Sequence, residues 1–216
     1  MAAYFNLTLD TTAPSGGSII FGVSITNIRT VTATLSATDA AAMKLYGDIG
    51  TGSTPTADGD ASWETYSASK SVQLTSGDGT KTVYVKFRDA VGNASTAASA
   101  TITLDTSAAV VNITGPDVST VSKVAGYNVS EFSFSADAPF VEYKVKVVPS
   151  TSSSHDVGTQ IPMTAGSTNM SGTGTYVALT PVTCTINAAD LETASSGDGL
   201  KIVKVFVKDT AGNWSV

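Results

Sequence analysis

Residues 76–95, S-G-D-G-T-K-T-V-Y-V-K-F-R-D-A-V-G-N-A-S, return almost unchanged at 196–215 as S-G-D-G-L-K-I-V-K-V-F-V-K-D-T-A-G-N-W-S. The matches keep a single offset of 120 residues without a gap, from Gly77 and Gly197 through Asp89 and Asp209 to Asn93 and Asn213. A chain of 216 residues that carries one unit twice folds as two units of about 100 residues, each large enough to bury a core. Within the repeat, Val83, Val85 and Phe87 alternate with polar residues, the period of a strand with one face inward, and Lys81 and Lys86 are able to reach solvent. Asp78-Gly79 before that strand and D-x-x-G-N after it are turn chemistry. Glycine takes a positive φ without a Cβ clash, and Asp and Asn side chains bond nearby backbone amides.

A second, shorter repeat sets the phase. Leu7-Thr8-Leu9-Asp10-Thr11 matches Ile102-Thr103-Leu104-Asp105-Thr106 at an offset of 95. The later copy closes the first unit, so residues 4–10, with Phe5, Leu7 and Leu9 on one face, read as a closing strand placed ahead of that unit. The second unit runs to its turn with no such strand after it. The predicted division is a strand over 1–10, a domain over 11–105, and a second domain over 106–216 lacking its closing strand. Further strands are expected at 18–21, 30–36, 43–46, 71–74, 100–104, 130–135 and 141–147, with a capped helical turn near 187–192. Residues 11–17, 47–62 and 149–175 read as loops from their Gly, Pro, Ser and Thr content, the last longer than a strand connection needs.

Composition excludes several functions. The net charge is −6 and the lysines are scattered singly, so no cationic cluster stands ready to displace counterions from nucleic acid. No apolar run reaches the roughly 20 residues that a membrane span requires. The single cysteine, Cys184, rules out an intrachain disulfide and reads as a small buried hydrophobe. The first ten residues show neither a basic region nor an apolar run of the secretory kind, which points to synthesis in the cytoplasm.

The D-x-x-G-N turn after a V-x-V-x-[FV] strand, the G-D-G-x-K before it and the L-D-T-[TS]-A junction resemble the immunoglobulin-like repeats of bacterial surface proteins and tailed-phage structural proteins. The resemblance covers essentially the whole chain. It implies an all-β fold of two tandem antiparallel β-sandwiches, each of about seven strands in two sheets. Among such proteins the lack of an export signal favours a non-enzymatic virion protein, such as a capsid decoration, neck or tail component, whose partners are other copies of itself and other virion proteins. The alternative is a bacterial cell-surface adhesion or glycan-binding module, with Trp63 and Tyr66 as the aromatic contacts.

No catalytic constellation is visible. His155, the only histidine, sits in the loop run 152–156 beside Ser154 and Asp156; neighbours in sequence do not make a triad, which is a spatial arrangement on a rigid scaffold. Glu64, Glu131, Glu142 and Glu192 are dispersed. No cofactor is expected. Asp58, Asp60, Asp78, Asp89, Asn93, Asp198, Asp209 and Asn213 offer hard oxygens that suit Ca²⁺, and turn chemistry is the simpler reading of the same residues. The sharpest expectation concerns assembly: Tyr4, Phe5, Leu7 and Leu9 form a strand that one copy donates to the open second unit of another. Pairing of that strand within its own first domain, or a chain cut out of phase from a longer array, are the other readings.

Overall fold

The computed structural model describes residues 3–149, 152 and 154–216 and divides into two compact units, Met1–Thr106 and Ser107–Val216. In the first, β1 (Ser15–Phe21), β2 (Ile25–Thr26), β3 (Thr30–Thr38), β4 (Ala42–Gly47), β5 (Glu64–Thr65), β6 (Ser69–Gln73), β7 (Gly79–Arg88) and β8 (Ala98–Leu104) follow one another. They pair as two sheets, β1-β3-β6 and β2-β8-β7-β4-β5. Every second residue of β7 points inward, and Val83, Val85 and Phe87 are fully buried. They meet Ala33, Leu35 and Val72 of the opposite sheet in one core, which is what makes the unit a sandwich. Here β1, β3 and β6 hold the places of strands A, B and E of the immunoglobulin fold, and β4, β7 and β8 those of C, F and G.

The second unit contains β9 (Val111–Thr114), β10 (Val129–Ala136), β11 (Phe140–Val148), β12 (Thr159–Gln160), β13 (Ser171–Tyr176), β14 (Val182–Asn187), α1 (Ala188–Ala194) and β15 (Ile202–Asp209). The sheet β14-β10-β9 faces a sheet in which β11 pairs with β12 and β13 on one side and with β15 on the other. Phe134, Phe140, Tyr143, Val145, Val205 and Val207 fill the space between, with Phe140 stacked on Tyr176 at 4.6 Å. The helix crosses from one sheet to the other; the Asn187 side chain caps it by accepting the Ala189 N–H. Among the described residues no strand occupies the G place beside β15, and no helix is long and apolar enough to cross a membrane.

Four expectations need correction. Residues 4–10 form no strand within this chain: they pair with neither sheet of the first unit and their apolar side chains stay exposed. The Ser15-Gly16-Gly17 run does not end a strand but begins β1. There an irregularity in register falls between Ser15 and Ser18, and the flat Gly17 lets the Phe87 ring come close. The predicted loop over 149–175 contains β12 and the start of β13, strands whose polar, glycine-containing sequences carry little alternation; residues 150, 151 and 153 of that stretch lie outside the described residues. Lys81 does not stand in solvent. It continues the inward row of Val83 and Val85 at 8% exposure, and its ammonium donates to the Ser76 carbonyl at 3.3 Å.

Candidate interaction site

The repeated turn is a closed hydrogen-bonding unit. In the first copy Asp89 Oδ1 accepts from the backbone N–H groups of Val91, Gly92 and Asn93, and Oδ2 accepts from Asn93 Nδ2 at 2.8 Å. In the second, Asp209 does the same with Ala211, Gly212 and Asn213, the amide at 2.9 Å. Burial pushes the Asp89 carboxyl up, while the Asn93 amide and the N–H groups of Asn93, Gly92 and Val91 more than offset it and leave the group below its ordinary range. The same amide of each Asn also holds the chain entering its own unit: Asn93 Nδ2 donates to the Asp10 carbonyl at 3.2 Å and Asn213 Nδ2 to that of Ser107 at 3.4 Å. Asp10, Asp39 and Asp89 bring carboxylate oxygens within 4.8 Å of one another. The sequence reading missed Asp10 and Asp39 as neighbours of Asp89, since nothing in their spacing joins them. Asp78 accepts the Thr106 N–H and hydroxyl at 2.9 and 2.8 Å, tying the end of β8 to the turn before β7. Its counterpart Asp198 is exposed.

The aromatic candidates separate. Tyr66 belongs to the core, edge-on to Phe87 at 5.8 Å with its hydroxyl donating to the Leu35 carbonyl. Trp63 lies against the sheet under cations, with the Arg88 guanidinium 4.6 Å and the Lys44 ammonium 5.2 Å from the ring centre. Beside it Asp58 takes Lys44 and Lys86, each at 2.6 Å, and these two lysines hold its carboxyl below the usual range. That loop carboxylate is thereby engaged in pinning the 48–63 connection to the sheet. His155, placed by the sequence in a loop run, stacks on Trp214 at 4.3 Å and sits 3.2 Å from Asp156 Oδ1, with no serine hydroxyl bonded to it among the described residues. Cys184 is buried, and burial pushes its thiol up to about 12.

Asp190, unremarked in the sequence, is the buried polar centre of the second unit. It is fully buried on α1 and accepts from Thr164 N and Oγ1, Ala165 N and Ser167 N. Burial raises its carboxyl, but the donors of Ser167, Thr164 and Ala165 outweigh that and hold it down at about 2. Every hydrogen-bond partner named is a neutral group of one loop, so the carboxylate holds that loop's backbone to α1.

What remains free is an edge. In the first unit β7 pairs with β4 on one side and with β8 on the other, Lys81 opposite Ile102 and Val83 opposite Ala100. In the second, β11 is the one strand paired with β15 among the described residues, with a single further bridge from Lys208 to Trp214. Near its end Val207 exchanges hydrogen bonds with Ser215, so by the period of two the backbone groups of Val205, Val203 and Lys201 face the same unpaired side. Beside that edge runs a groove of about 880 Å³ whose apolar lining includes Ile113, Phe132, Ile186, Leu191, Val203 and Val205. At the other end of the chain Tyr4, Phe5, Leu7 and Leu9 are 89%, 85%, 86% and 86% exposed. Of the interaction residues expected from the sequence, Tyr4, Phe5, Leu7 and Leu9 thus stand in the open while Trp63 and Tyr66 do not, and the groove that would suit the first four needed the sheet order to be found.

No family model and no curated protein matches the sequence. Among solved structures the chain is similar to chitinase ChiA74 from Bacillus thuringiensis, with 14% identity, a TM-score of 0.34, and coverage of 83% of this chain and 27% of that one. It is also similar to a tetra-tandem repeat in the extending region of a large adhesion protein, with 18% identity, a TM-score of 0.31, and coverage of 92% and 46%. The chain therefore spans less than half the length of either. Its architecture rests on its own sheets: two tandem immunoglobulin-like β-sandwiches, the second with an open F-strand edge.

Proposed function

We propose that this chain is a non-enzymatic structural protein of a phage particle that works by contact, presenting rigid sandwich units whose strand edges and loops fit neighbouring proteins. The observation that carries the contact reading is the open edge of β15 with an apolar groove beside it. Unpaired strand edges template pairing with another chain. The chemistry-bearing side chains support the same reading, since Asp89, Asp209, Asp190 and Asp58 are engaged with their own turns, loops and lysines. The repeated turn and strand resemble repeats of tailed-phage structural proteins as well as of bacterial surface proteins, and the lack of a secretory pattern in the first ten residues favours the particle setting between the two. Trp63, the aromatic suited to a sugar-binding role, has Arg88 and Lys44 against its ring, which leaves that face less available for stacking.

Mass spectrometry of purified particles, with antibody labelling in micrographs, tests the setting. The expected result is the chain at a fixed stoichiometry in particles. Its recovery only from the surface of uninfected cells would overturn the reading, and so would glycan binding abolished by Trp63→Ala.

A further inference from the structure

We infer that the groove beside β15 is filled by residues 4–10 of a second copy of this chain, which completes the sandwich as its G strand. This deepens the contact reading above by naming the partner, and rests on it for the setting in which copies meet.

Two internal repeats fix the geometry. The offset of 120 places β15 on β7, and the offset of 95 places Leu7–Thr11 on Ile102–Thr106, residues that in the first unit lie against β7. Carrying the observed register across sets Leu9 opposite Gly199, Thr8 opposite Leu200, Leu7 opposite Lys201, Asn6 opposite Ile202 and Phe5 opposite Val203. In the first unit Ile102 and Leu104 are 1% exposed while Thr101 faces outward. By the same alternation Phe5, Leu7 and Leu9 enter the groove, and Asn6 and Thr8 face water. The residues that β8 covers in the first unit are less covered in the second: Lys81 and Val83 are buried, Lys201 and Val203 only half-buried. The junction also finds its partner. Thr106 donates its N–H and hydroxyl to Asp78, and Thr11 of the incoming copy meets the exposed Asp198 in the same way.

Donation of residues 4–10 by one copy to the groove of another is a heterologous contact, which propagates as a filament or closes as a ring according to the rotation per step.

The test mixes two full-length chains, one carrying Asn6→Cys and the other Ile202→Cys, under mild oxidation, with light scattering on the unaltered chain. Asn6 and Ile202 face one another on the outer side, so a covalent dimer of the two forms is expected. A Leu7→Cys chain, whose thiol would point into the groove, is expected to give about tenfold less. Leu7→Asp with Leu9→Asp is expected to abolish association. Both residues are exposed in the single chain, so circular dichroism should show an unchanged fold. Equal cross-linking from Asn6→Cys and Leu7→Cys would overturn the register. A chain that stays monomeric at about millimolar concentration, or association indifferent to the two aspartates, would assign the groove to another occupant and overturn the inference. Absence of the protein from purified particles would sink the particle setting and leave this association standing.

Discussion

Asp190→Asn should unfold the second unit selectively, because the substitution keeps volume while reversing the sense of one hydrogen-bonding atom. Oδ1 accepts from Thr164 N at 3.1 Å, Thr164 Oγ1 at 2.8 Å and Ala165 N at 2.9 Å, while Oδ2 accepts from Ser167 N at 2.9 Å and Ala165 N at 3.1 Å. An amide can keep the first set, but its NH₂ then faces the buried Ser167 N–H, donor against donor. Losing one bond to a charged acceptor and stranding one donor costs about 2–4 kcal/mol. With a urea slope of about 2 kcal/mol/M, the midpoint should fall by roughly 1–2 M. The two tryptophans make the assay specific, since Trp63 lies in the first unit and Trp214 in the second. In a Trp63→Phe background, fluorescence follows the second unit alone. The pH dependence adds a sign. The carboxyl is held at about 2 in the fold against an ordinary 3.8, so its contribution is complete above the higher value and is lost as pH falls through the lower. The gap between parent and variant should therefore stay constant above about pH 5 and narrow towards pH 2. A midpoint shift below about 0.3 M, or a gap that ignores pH down to 2, would refute the role assigned to this carboxylate.

Asp89→Ala should lower the urea midpoint of the first unit and leave the second unchanged, with Asp209→Ala giving the converse; a single shared transition affected by both would contradict two separately folded units. Gly47→Ala should destabilise the first unit by about 2–4 kcal/mol, since φ there is +100° and an added Cβ would sit 2.4 Å from the Thr82 carbonyl oxygen; a neutral result by thermal melting would refute the close approach. Cys184 should resist thiol reagents at pH 8 in the folded chain and react once per chain in denaturant. Its thiol is buried and pushed up to about 12, so rapid labelling of the native protein would refute the burial.

The sandwich was legible wherever a strand keeps one wet face. The row of Val83, Val85 and Phe87, and that of Phe132 and Phe134, marked β7 and β10 because alternation is the direct imprint of a half-buried sheet. It failed for Ser171–Tyr176, where the backbone of Gly172 packs under Tyr143 and Tyr176: a strand that receives its neighbours' rings has no apolar pattern of its own. It failed for residues 4–10 in the opposite way: they carry the alternation of a strand, yet pair with no strand of their own chain among the described residues. The candidate site was half legible. The two repeats revealed a surplus strand and an open place, but the groove depends on Ile113, Phe132 and Ile186 meeting across sheets, and no spacing in the sequence encodes that meeting.

The indoles carry a last consequence. Arg88 and Lys208 are counterparts at the offset of 120, and Lys44 and Lys144 pair with Lys86 and Phe206, counterparts at that same offset. Trp63 covers the first pair from the connection ahead of β5, whereas Trp214 covers the second from beyond β15, with Lys144 at 4.5 Å and Lys208 at 5.9 Å. Two unrelated stretches of chain have thus converged on one roof over one patch of sheet. In both units a flat, polarisable indole covers half-buried cationic groups of the strand pair beneath it, and the loops are interchangeable carriers of that cover. Homology between such units is therefore better sought in the positions their side chains occupy than in the order in which the chain supplies them.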